Sequence, residues 1–167
     1  MKRDSVIPSV TAIVPVYNEK QAIRYSIDKL YQFMDSHLQD FEILIVESGS
    51  TDGTDKICDE ISNKRAEIVV AHEEIKNGFG SGLRLGVNNA SKDYIWIVPG
   101  DLPFPLETLL DALKLIDDYD CVLSYRAEDQ RHFSRKVQSF IYYVLCRILL
   151  GIKVKSIIFE WQSFCRV

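Results

Sequence analysis

Short, continuously apolar runs recur along this chain, and segments with helical spacing separate them. The run Val10–Val16 is rich in β-branched residues, and residues 41–46 are apolar except for Glu42. Strands that are apolar throughout are buried on both faces, which occurs mainly in parallel sheets covered by helices on both sides. The alternation therefore predicts an α/β fold with a mostly parallel sheet, right-handed crossovers and helices on both faces.

The predicted elements run through nearly the whole chain. Helical segments are marked by apolar residues that recur on one face. In the first helix these are Ile23, Ile27, Leu30 and Met34. The predicted strands are 10–16, 41–46, 67–71, 94–98 and 120–124. The predicted helices are one that opens at 18–19, then 54–64, 79–90, one that starts at 105, and 132–150.

Length and composition limit the classes of protein that the chain can belong to. Its 167 residues suffice for one core, so we expect a single domain over residues 1–167. The net charge of −4 argues against a general nucleic-acid binder, which needs a basic surface to neutralise phosphates. No apolar segment follows the charged N-terminus as in a signal peptide, and no run reaches the roughly 18 residues of a membrane span. A cytoplasmic location, either free or peripheral at a membrane, is therefore expected.

The cysteines and histidines form no recognisable metal or disulfide pattern. The four cysteines are Cys58, Cys121, Cys146 and Cys165. They contain no C-x-x-C pair, so we expect reduced, mostly buried thiols rather than a zinc site or a disulfide framework. The three histidines are His37, His72 and His132. They are isolated in the sequence, and we expect them to be ordinary surface residues.

Three loops that follow predicted strands carry acidic and hydroxyl groups. The loop after the first strand reads Pro15-Val16-Tyr17-Asn18-Glu19, the loop after the second Glu47-Ser48-Gly49-Ser50-Thr51-Asp52-Gly53-Thr54, and the loop after the fourth Pro99-Gly100-Asp101. Ligands of open α/β sheets bind outside the carboxyl ends of the strands. We therefore expect the three loops to converge on one edge, where they could hold a nucleotide base, a ribose and a metal-bound diphosphate.

These motifs, in this order and spacing, resemble glycosyltransferase family 2, which has the GT-A fold. The hallmarks of the family are P-x-Y-N-E after strand one, D-D-G-S-x-D-G-T after strand two and D-x-D after strand four. The P-V-Y-N-E match is complete, and the second motif matches in its G-S-T-D-G-T part. Residues 77–86 look like the glycine-rich loop and helix of the family.

Three later features are similar to the polyprenyl-phosphate sugar transferases within this family. Ser124-Tyr125-Arg126 resembles their G-x-R after strand five, and residues 131–151 resemble their basic-then-apolar helix. Residues 160–167 align with the stretch D-x-x-S-G-F-R-L, with Glu160 in place of Asp and Phe164 in place of Gly. Members of the family usually continue further with acceptor-side elements, so region 127–167 is expected to be a curtailed acceptor side.

The resemblance implies an enzyme that transfers a sugar from a nucleoside diphosphate sugar to a hydroxyl or a polyprenyl phosphate, with inversion at the anomeric carbon. The implied catalytic residues are Asp101, Arg126 and Glu160, and Asp101 is also the implied ligand of Mg²⁺ or Mn²⁺. The residues implied to bind the donor are Pro15, Tyr17, Glu19, Glu47, Ser48, Gly80, Arg84, Gly100 and Asp101. Arg126 and Arg135 are implied to meet an acceptor phosphate.

The chain departs from the family pattern mainly where a metal would bind. Pro99 replaces the first Asp of D-x-D, and Glu47-Ser48 replaces the acidic pair before Gly49. Mg²⁺ needs only one or two carboxylates besides substrate phosphates and waters, so Asp101 alone could hold it. Alternatively, Arg84 or Arg126 could supply the positive charge directly. These departures also favour a second hypothesis, a GT-A-like nucleotide-binding module without turnover.

Some of these residues also have a purely structural explanation. Asp101 could be a turn residue, and Asn18 could cap the first helix. Asp52 is expected to cap the helix that begins near Thr54, as Asp commonly does.

Two further patterns suggest functions that compete with simpler explanations. Gly78-x-Gly80 does not complete a dinucleotide fingerprint, because Leu83 stands where the third glycine would be. The basic residues around 131–136 lie beside an apolar stretch, which could approach a membrane surface and a lipid phosphate or pack against the sheet. Both explanations of this helix stay open at the level of sequence.

Overall fold

The computed structural model describes residues 8–75, 77–116, 118–119, 121–123 and 163–166, together with 137–138, 140–141, 144–145 and 148–149. The elements are β1 (Val10–Val16), α1 (Ile23–His37), β2 (Phe41–Ser48), α2 (Thr54–Ser62), β3 (Ile68–Glu73), α3 (Phe79–Asn89), β4 (Tyr94–Ile97), α4 (Thr108–Leu113), β5 (Cys121–Leu123) and β6 (Ser163–Arg166). Two compact units are distinguished, 1–122 with 163–167 and 123–162. The single domain over 1–167 stays a prediction.

The strands form one six-stranded sheet in the order β3-β2-β1-β4-β6-β5. β1 pairs in parallel with β2 and with β4, and β2 pairs in parallel with β3. β6 runs antiparallel to β4. This arrangement confirms the predicted α/β fold with a mostly parallel sheet, and it brings the carboxyl ends of β1, β2, β3 and β4 to one edge.

The central strand β1 is covered on both faces. Val10, Ala12 and Val14 belong to an apolar cluster that includes residues of α1 and α2. Ile13 belongs to a second cluster, against which Leu85 of α3 packs. Because successive side chains of a strand point to opposite faces, α1 and α2 lie on one side of the sheet and α3 on the other.

Two helices begin later than the sequence predicts. α1 starts at Ile23 rather than at 18–19, because Asn18 has a φ of 55°, which a right-handed helix does not allow. The carbonyl of Glu19 instead accepts the N–H groups of Ala22 and Ile23 in a turn before the helix. α4 likewise follows a turn and starts at residue 108 rather than at 105.

β6 is an element that the sequence analysis missed. Phe164 lies on this strand opposite Trp96 of β4 and is only 3% exposed. Its ring stacks on that of Tyr94, with centroids 5.2 Å apart and planes inclined by 10°. Phe164, which departs from the family pattern, is therefore a core residue that fastens a distant segment to the sheet.

The last third of the chain is described only in part. Residues 121–123 form a strand within the predicted 120–124. The described positions of the predicted helix 132–150 are helical, and the other positions lie outside the described residues. Within the described ranges, no helix combines the length and the apolar character needed to cross a membrane. Cys58 is a buried free thiol and Cys121 an exposed one, whereas Cys146 lies outside the described residues.

α3 lies unusually close to the sheet at two buried glycines. A Cβ atom on Gly86 would lie 2.6 Å from Cγ2 of Ile13 and 3.1 Å from Cγ2 of Val46. A Cβ atom on Gly82 would lie 3.1 Å from Oγ of Ser48. Gly86 has no room for a side chain and Gly82 has very little, so the backbone of α3 lies directly against side chains of β1 and β2.

This packing predicts different effects for two glycine substitutions in the same helix. We expect Gly86→Ala to lower the free energy of unfolding by about 1–3 kcal/mol, because Ile13 is fully buried and cannot move away. Gly80→Ala, where nothing lies within 4 Å, should leave it unchanged or raise it by less than about 1 kcal/mol. Urea unfolding of both variants measures the difference, and equal losses would contradict the close packing.

Candidate functional site

The loops after β1 and β2 are joined by reciprocal hydrogen bonds. The backbone N–H of Asn18 donates to Oγ of Ser50 at 2.9 Å, and that of Thr51 donates to Oδ1 of Asn18 at 2.9 Å. The left-handed backbone of Asn18 turns its side chain into this contact. Asn18 therefore links two loops, and the alternative that it caps the first helix is wrong, because the N-cap of α1 is Ala22.

Asp52 fastens the same two loops from the other side. Its carboxylate accepts the N–H of Thr54 at 3.0 Å and that of Lys20 at 3.2 Å. Asp52 does not occupy the predicted N-cap position, which is held by Gly53 with a φ of 92°, but from the residue before it accepts the N–H of Thr54, the first residue of α2. Hydrogen bonds, first of all from the Thr54 hydroxyl, hold the pKa of Asp52 below its ordinary value.

The loop after β4 lies against the carboxyl end of β1. A Cβ atom on the buried Gly100 would be 3.5 Å from the carbonyl oxygen of Pro15. The N–H of Leu102 donates to the carbonyl of Pro99 at 3.1 Å, which closes a tight turn around Asp101. Asp101 is exposed, and its carboxylate makes no hydrogen bond or ion pair with another described residue. Asp101 is therefore both a turn residue and an accessible carboxylate.

Glu47 is held by protein partners beneath the second loop. It is 2% exposed, and its Oε1 accepts the N–H of Ser50 at 2.6 Å. Its Oε2 lies 3.2 Å from Nδ1 of His72, whose Nε2 lies 2.9 Å from Oδ1 of Asp59. Glu47 therefore holds the turn that presents Ser50 to Asn18. Its predicted contact with a nucleotide base stays a prediction.

His72 is not the isolated surface residue that the sequence analysis expected. It is exposed, but its ring bridges the carboxylates of Glu47 and Asp59, which lie on different elements. Burial alone would lower the pKa of His72, and the hydrogen bonds to the two carboxylates outweigh it, so the pKa is raised. His132 lies outside the described residues.

Glu73 is a candidate site residue that the sequence analysis missed. It pairs with Ser48 across β3 and β2, and its Oε2 accepts the Ser48 hydroxyl at 2.7 Å. Its Oε1 accepts the hydroxyl of Ser81 on α3 at 2.6 Å. The predicted third strand ended at Ala71, two residues before the last residue of β3, so Glu73 was assigned to no element.

A cleft of about 410 Å³ opens between the carboxyl end of β3 and the face of α3 that carries Ser81, Arg84 and Asn88. Its lining includes Glu73, Asn77, Ser81 and Arg84. Arg84 is therefore close to the strand edge, as its predicted role in donor binding requires. Gly80 lies in the exposed first turn of the same helix.

The structure describes all of the predicted donor-binding residues. Pro15, Tyr17, Glu19, Glu47, Ser48, Gly100 and Asp101 lie at or just after the carboxyl ends of β1, β2 and β4, and Gly80 and Arg84 lie on α3. Arg126, Glu160 and the acceptor-side Arg135 lie outside the described residues. The roles of all these residues, in donor binding as in catalysis, stay predictions.

Asp101 stays the predicted ligand of a divalent metal. No group of three or more His, Cys, Asp or Glu side chains within the described residues could hold an ion. Glu47 and Glu73 accept hydrogen bonds from other residues, whereas Asp101 is exposed at the strand edge. This donor set fits a Mg²⁺ or Mn²⁺ ion whose remaining ligands are substrate phosphates and waters.

Comparison with known proteins decides the family. The profile of "Glycosyl transferase family 2" matches residues 11–166. The chain belongs to this family. It is 28% identical over 143 residues to the undecaprenyl-phosphate 4-deoxy-4-formamido-L-arabinose transferase of Serratia proteamaculans, a match that covers 84% of the chain and 44% of that protein. It is 30% identical over 92 residues to the glycosyltransferase GlyG of Streptococcus pneumoniae, covering 55% of the chain and 30% of GlyG.

Two solved structures share the fold of this chain. The mannosyltransferase PcManGT of Pyrobaculum calidifontis, solved with GDP-Man and Mn²⁺, has a TM-score of 0.63 and 26% identity, covering 73% of this chain and 36% of its own. The glucosyl-3-phosphoglycerate synthase of Mycobacterium tuberculosis has a TM-score of 0.67 at 19% identity, covering 95% and 56%. These likenesses confirm the GT-A fold. The chain spans less than half the length of the curated relatives it matches.

The pair of carboxylates around His72 predicts a pH dependence of stability. Because the folded pKa of His72 lies above the ordinary 6.5, its contribution is fully present below 6.5 and is lost as the pH rises through the raised value. We expect the urea midpoint of the wild type to fall over that interval more steeply than the midpoint of His72→Gln. His37→Gln is the matched control, since His37 is exposed and has no carboxylate partner among the described residues. Parallel profiles for wild type and His72→Gln would contradict the pairing.

Proposed function

We propose that this chain forms the donor-binding part of a glycosyltransferase that transfers a sugar from a nucleoside diphosphate sugar to an acceptor. The observation that carries the proposal is the joining of the strand-end loops. Asn18 ties the first loop to the second, and Gly100 seats the third loop against Pro15. Family membership and the solved complex of PcManGT with GDP-Man support a nucleotide sugar as the donor.

In the proposed complex, different loops at the carboxyl edge of the sheet contact different parts of the nucleotide sugar. Tyr17, which is 37% exposed, and Glu19 frame the base and the ribose. Asp101 faces the diphosphate together with a Mg²⁺ or Mn²⁺ ion, and Arg84 adds positive charge from α3. The metal, when bound, supplies charge that offsets the leaving diphosphate. The Mn²⁺ in two of the similar structures supports this role.

The proposed acceptor is a polyprenyl phosphate at a membrane surface. Relatives named undecaprenyl-phosphate transferases support this class of acceptor. A phosphate oxygen is already ionised near neutral pH, so a strong general base is not required for its attack on the anomeric carbon. Arg126 and Arg135 keep their predicted role at the acceptor phosphate, and Glu160 keeps its predicted catalytic role.

A nucleotide-binding module without turnover is the second candidate function. Pro99 leaves Asp101 without the carboxylate that the family motif places two residues earlier. Glu47 directs both of its oxygens to protein partners. Both observations reduce the negative charge that is available to a metal and a substrate.

Calorimetry with UDP-sugars and GDP-sugars, with and without Mn²⁺, separates the two candidates when it is paired with a transfer assay on undecaprenyl phosphate. Metal-dependent binding with turnover supports the transferase. Binding without turnover supports the module. Failure to bind any of these nucleotide sugars would reject both.

The role of Asp101 can be tested by removing its charge. We expect Asp101→Asn to weaken Mn²⁺-dependent binding of the nucleotide sugar by roughly tenfold or more, because one charge-assisted contact is lost. Transfer should fall by about a hundredfold or more. Asp93→Asn is the matched control, because Asp93 is exposed and precedes the opposite end of β4. Equal loss in the two variants would contradict the assignment.

The missing carboxylate at position 99 can be restored. We expect Pro99→Asp to tighten Mn²⁺ binding, because two carboxylates would then face the ion. A gain in transfer rate would identify Pro99 as the cause of weak catalysis. An unchanged metal affinity, measured by calorimetry, would show that position 99 does not face the metal.

A further inference from the structure

Ser48 and Glu73 form a hydrogen-bonded pair at the carboxyl ends of β2 and β3, on the edge of the sheet where we propose that the sugar donor binds. Ser48 occupies the position where the family motif has its second Asp. Glu73 lies directly opposite it in the register of β2 and β3, and the Ser48 hydroxyl donates to its carboxylate at 2.7 Å. A position that lacks the family carboxylate is thus in direct contact with a carboxylate from the neighbouring strand.

The two positions cannot both carry an ionised carboxylate without cost. Like charges at hydrogen-bond distance disfavour ionisation, and one of the two groups would have to take up a proton. The backbone of α3 also closes over the pair, since a Cβ atom on Gly82 would lie 3.2 Å from Oε2 of Glu73. The two side chains therefore have little room to move apart, and a single carboxylate fits the pair best.

Glu73 retains capacity for a further hydrogen bond. A carboxylate has about four acceptor positions, and the hydroxyls of Ser48 and Ser81 occupy one on each oxygen. The side chain is half-buried and lines the cleft of about 410 Å³ beside Arg84. A cleft of this size accommodates a small ligand or the nucleoside part of a larger one.

We propose that Glu73 is a donor-binding residue, which supplies from β3 the carboxylate that position 48 lacks. It accepts a hydrogen bond from a base N–H or a ribose hydroxyl of the nucleotide. The two serine hydroxyls hold the carboxylate in place, and Arg84 in the same cleft balances its charge. The inference rests on the proposed function, because it names a residue of the same donor site.

Calorimetry with UDP and with GDP in the presence of Mn²⁺ tests the contact. We expect Glu73→Gln to bind the preferred nucleotide about ten- to a hundredfold more weakly, the loss typical of a charge-assisted hydrogen bond. Glu67→Gln is the matched control. Glu67 immediately precedes β3 at its other end, six residues before Glu73. The Glu67→Gln variant should therefore bind the nucleotide like the wild type.

An exchange of the two positions separates a donor contact from a purely structural one. We expect Ser48→Asp alone to lose thermal stability and nucleotide affinity, because two carboxylates then share one space. The double variant Ser48→Asp with Glu73→Ser should recover both, since a single carboxylate and a single hydroxyl remain. The double variant keeps the test informative when Ser48→Asp alone does not fold.

The outcomes distinguish this inference from the proposed function. If the wild type binds a nucleotide and Glu73→Gln binds it equally well, the inference is overturned and the proposed function stands. If the wild type binds neither nucleotide, the proposed function falls and the inference falls with it. If the double variant recovers stability but not affinity, a carboxylate at position 48 cannot replace the one at position 73, and the inference that Glu73 supplies the carboxylate missing from position 48 is overturned.

Discussion

The contact of the α3 backbone with the sheet determines where the polar side chains of the donor edge can lie. Gly82 and Gly86 carry no side chains, so the backbone of the helix lies directly against the side chains of Ile13, Val46 and Ser48 on β1 and β2. The close approach brings Ser81 within reach of Glu73 and places Arg84 in the cleft beside it. A bulkier residue at either glycine would lift the helix and separate these groups, so a packing constraint in the apolar layer is also a constraint on the site.

Hydrogen bonds between loops then give this edge its shape, because the sheet alone determines only where the loops begin. Asn18 accepts and donates across to the second loop, and Glu47 supports that loop from below through Ser50. His72 in turn holds Glu47 against α2 through Asp59. The exposed donor loops are therefore anchored through a buried carboxylate to both β3 and α2, which explains how short loops without regular structure can keep a defined arrangement.

Sequence patterns were sufficient for the parts of the fold that depend on local apolar periodicity. Apolar runs were enough to predict the strands around 10–16 and 41–46 and the alternation of strands and helices along the chain. The ends of these strands in turn located the segment from Pro15 to Glu19. β6 could not be found in this way, because a four-residue strand gains its stability from pairing with a distant segment and from the stacking of Phe164 on Tyr94. Glu73 and His72 were missed for a related reason, since their partners lie 25 residues or 13 residues away in sequence.

The distribution of carboxylates gives the departures from the family motif a common physical explanation. Glu47 is longer than the Asp it replaces, and its extra methylene lets it reach both Ser50 and His72 while it stays 2% exposed. The neighbouring position carries Ser48, and the charge lies on Glu73 across the strand pair. The second loop therefore presents hydroxyl and backbone groups, whereas its carboxylates lie behind or beside it. In the proposed donor complex, less negative charge would then face the diphosphate, and Asp101 with Arg84 beside it would need less neutralisation by a metal ion than two aspartates.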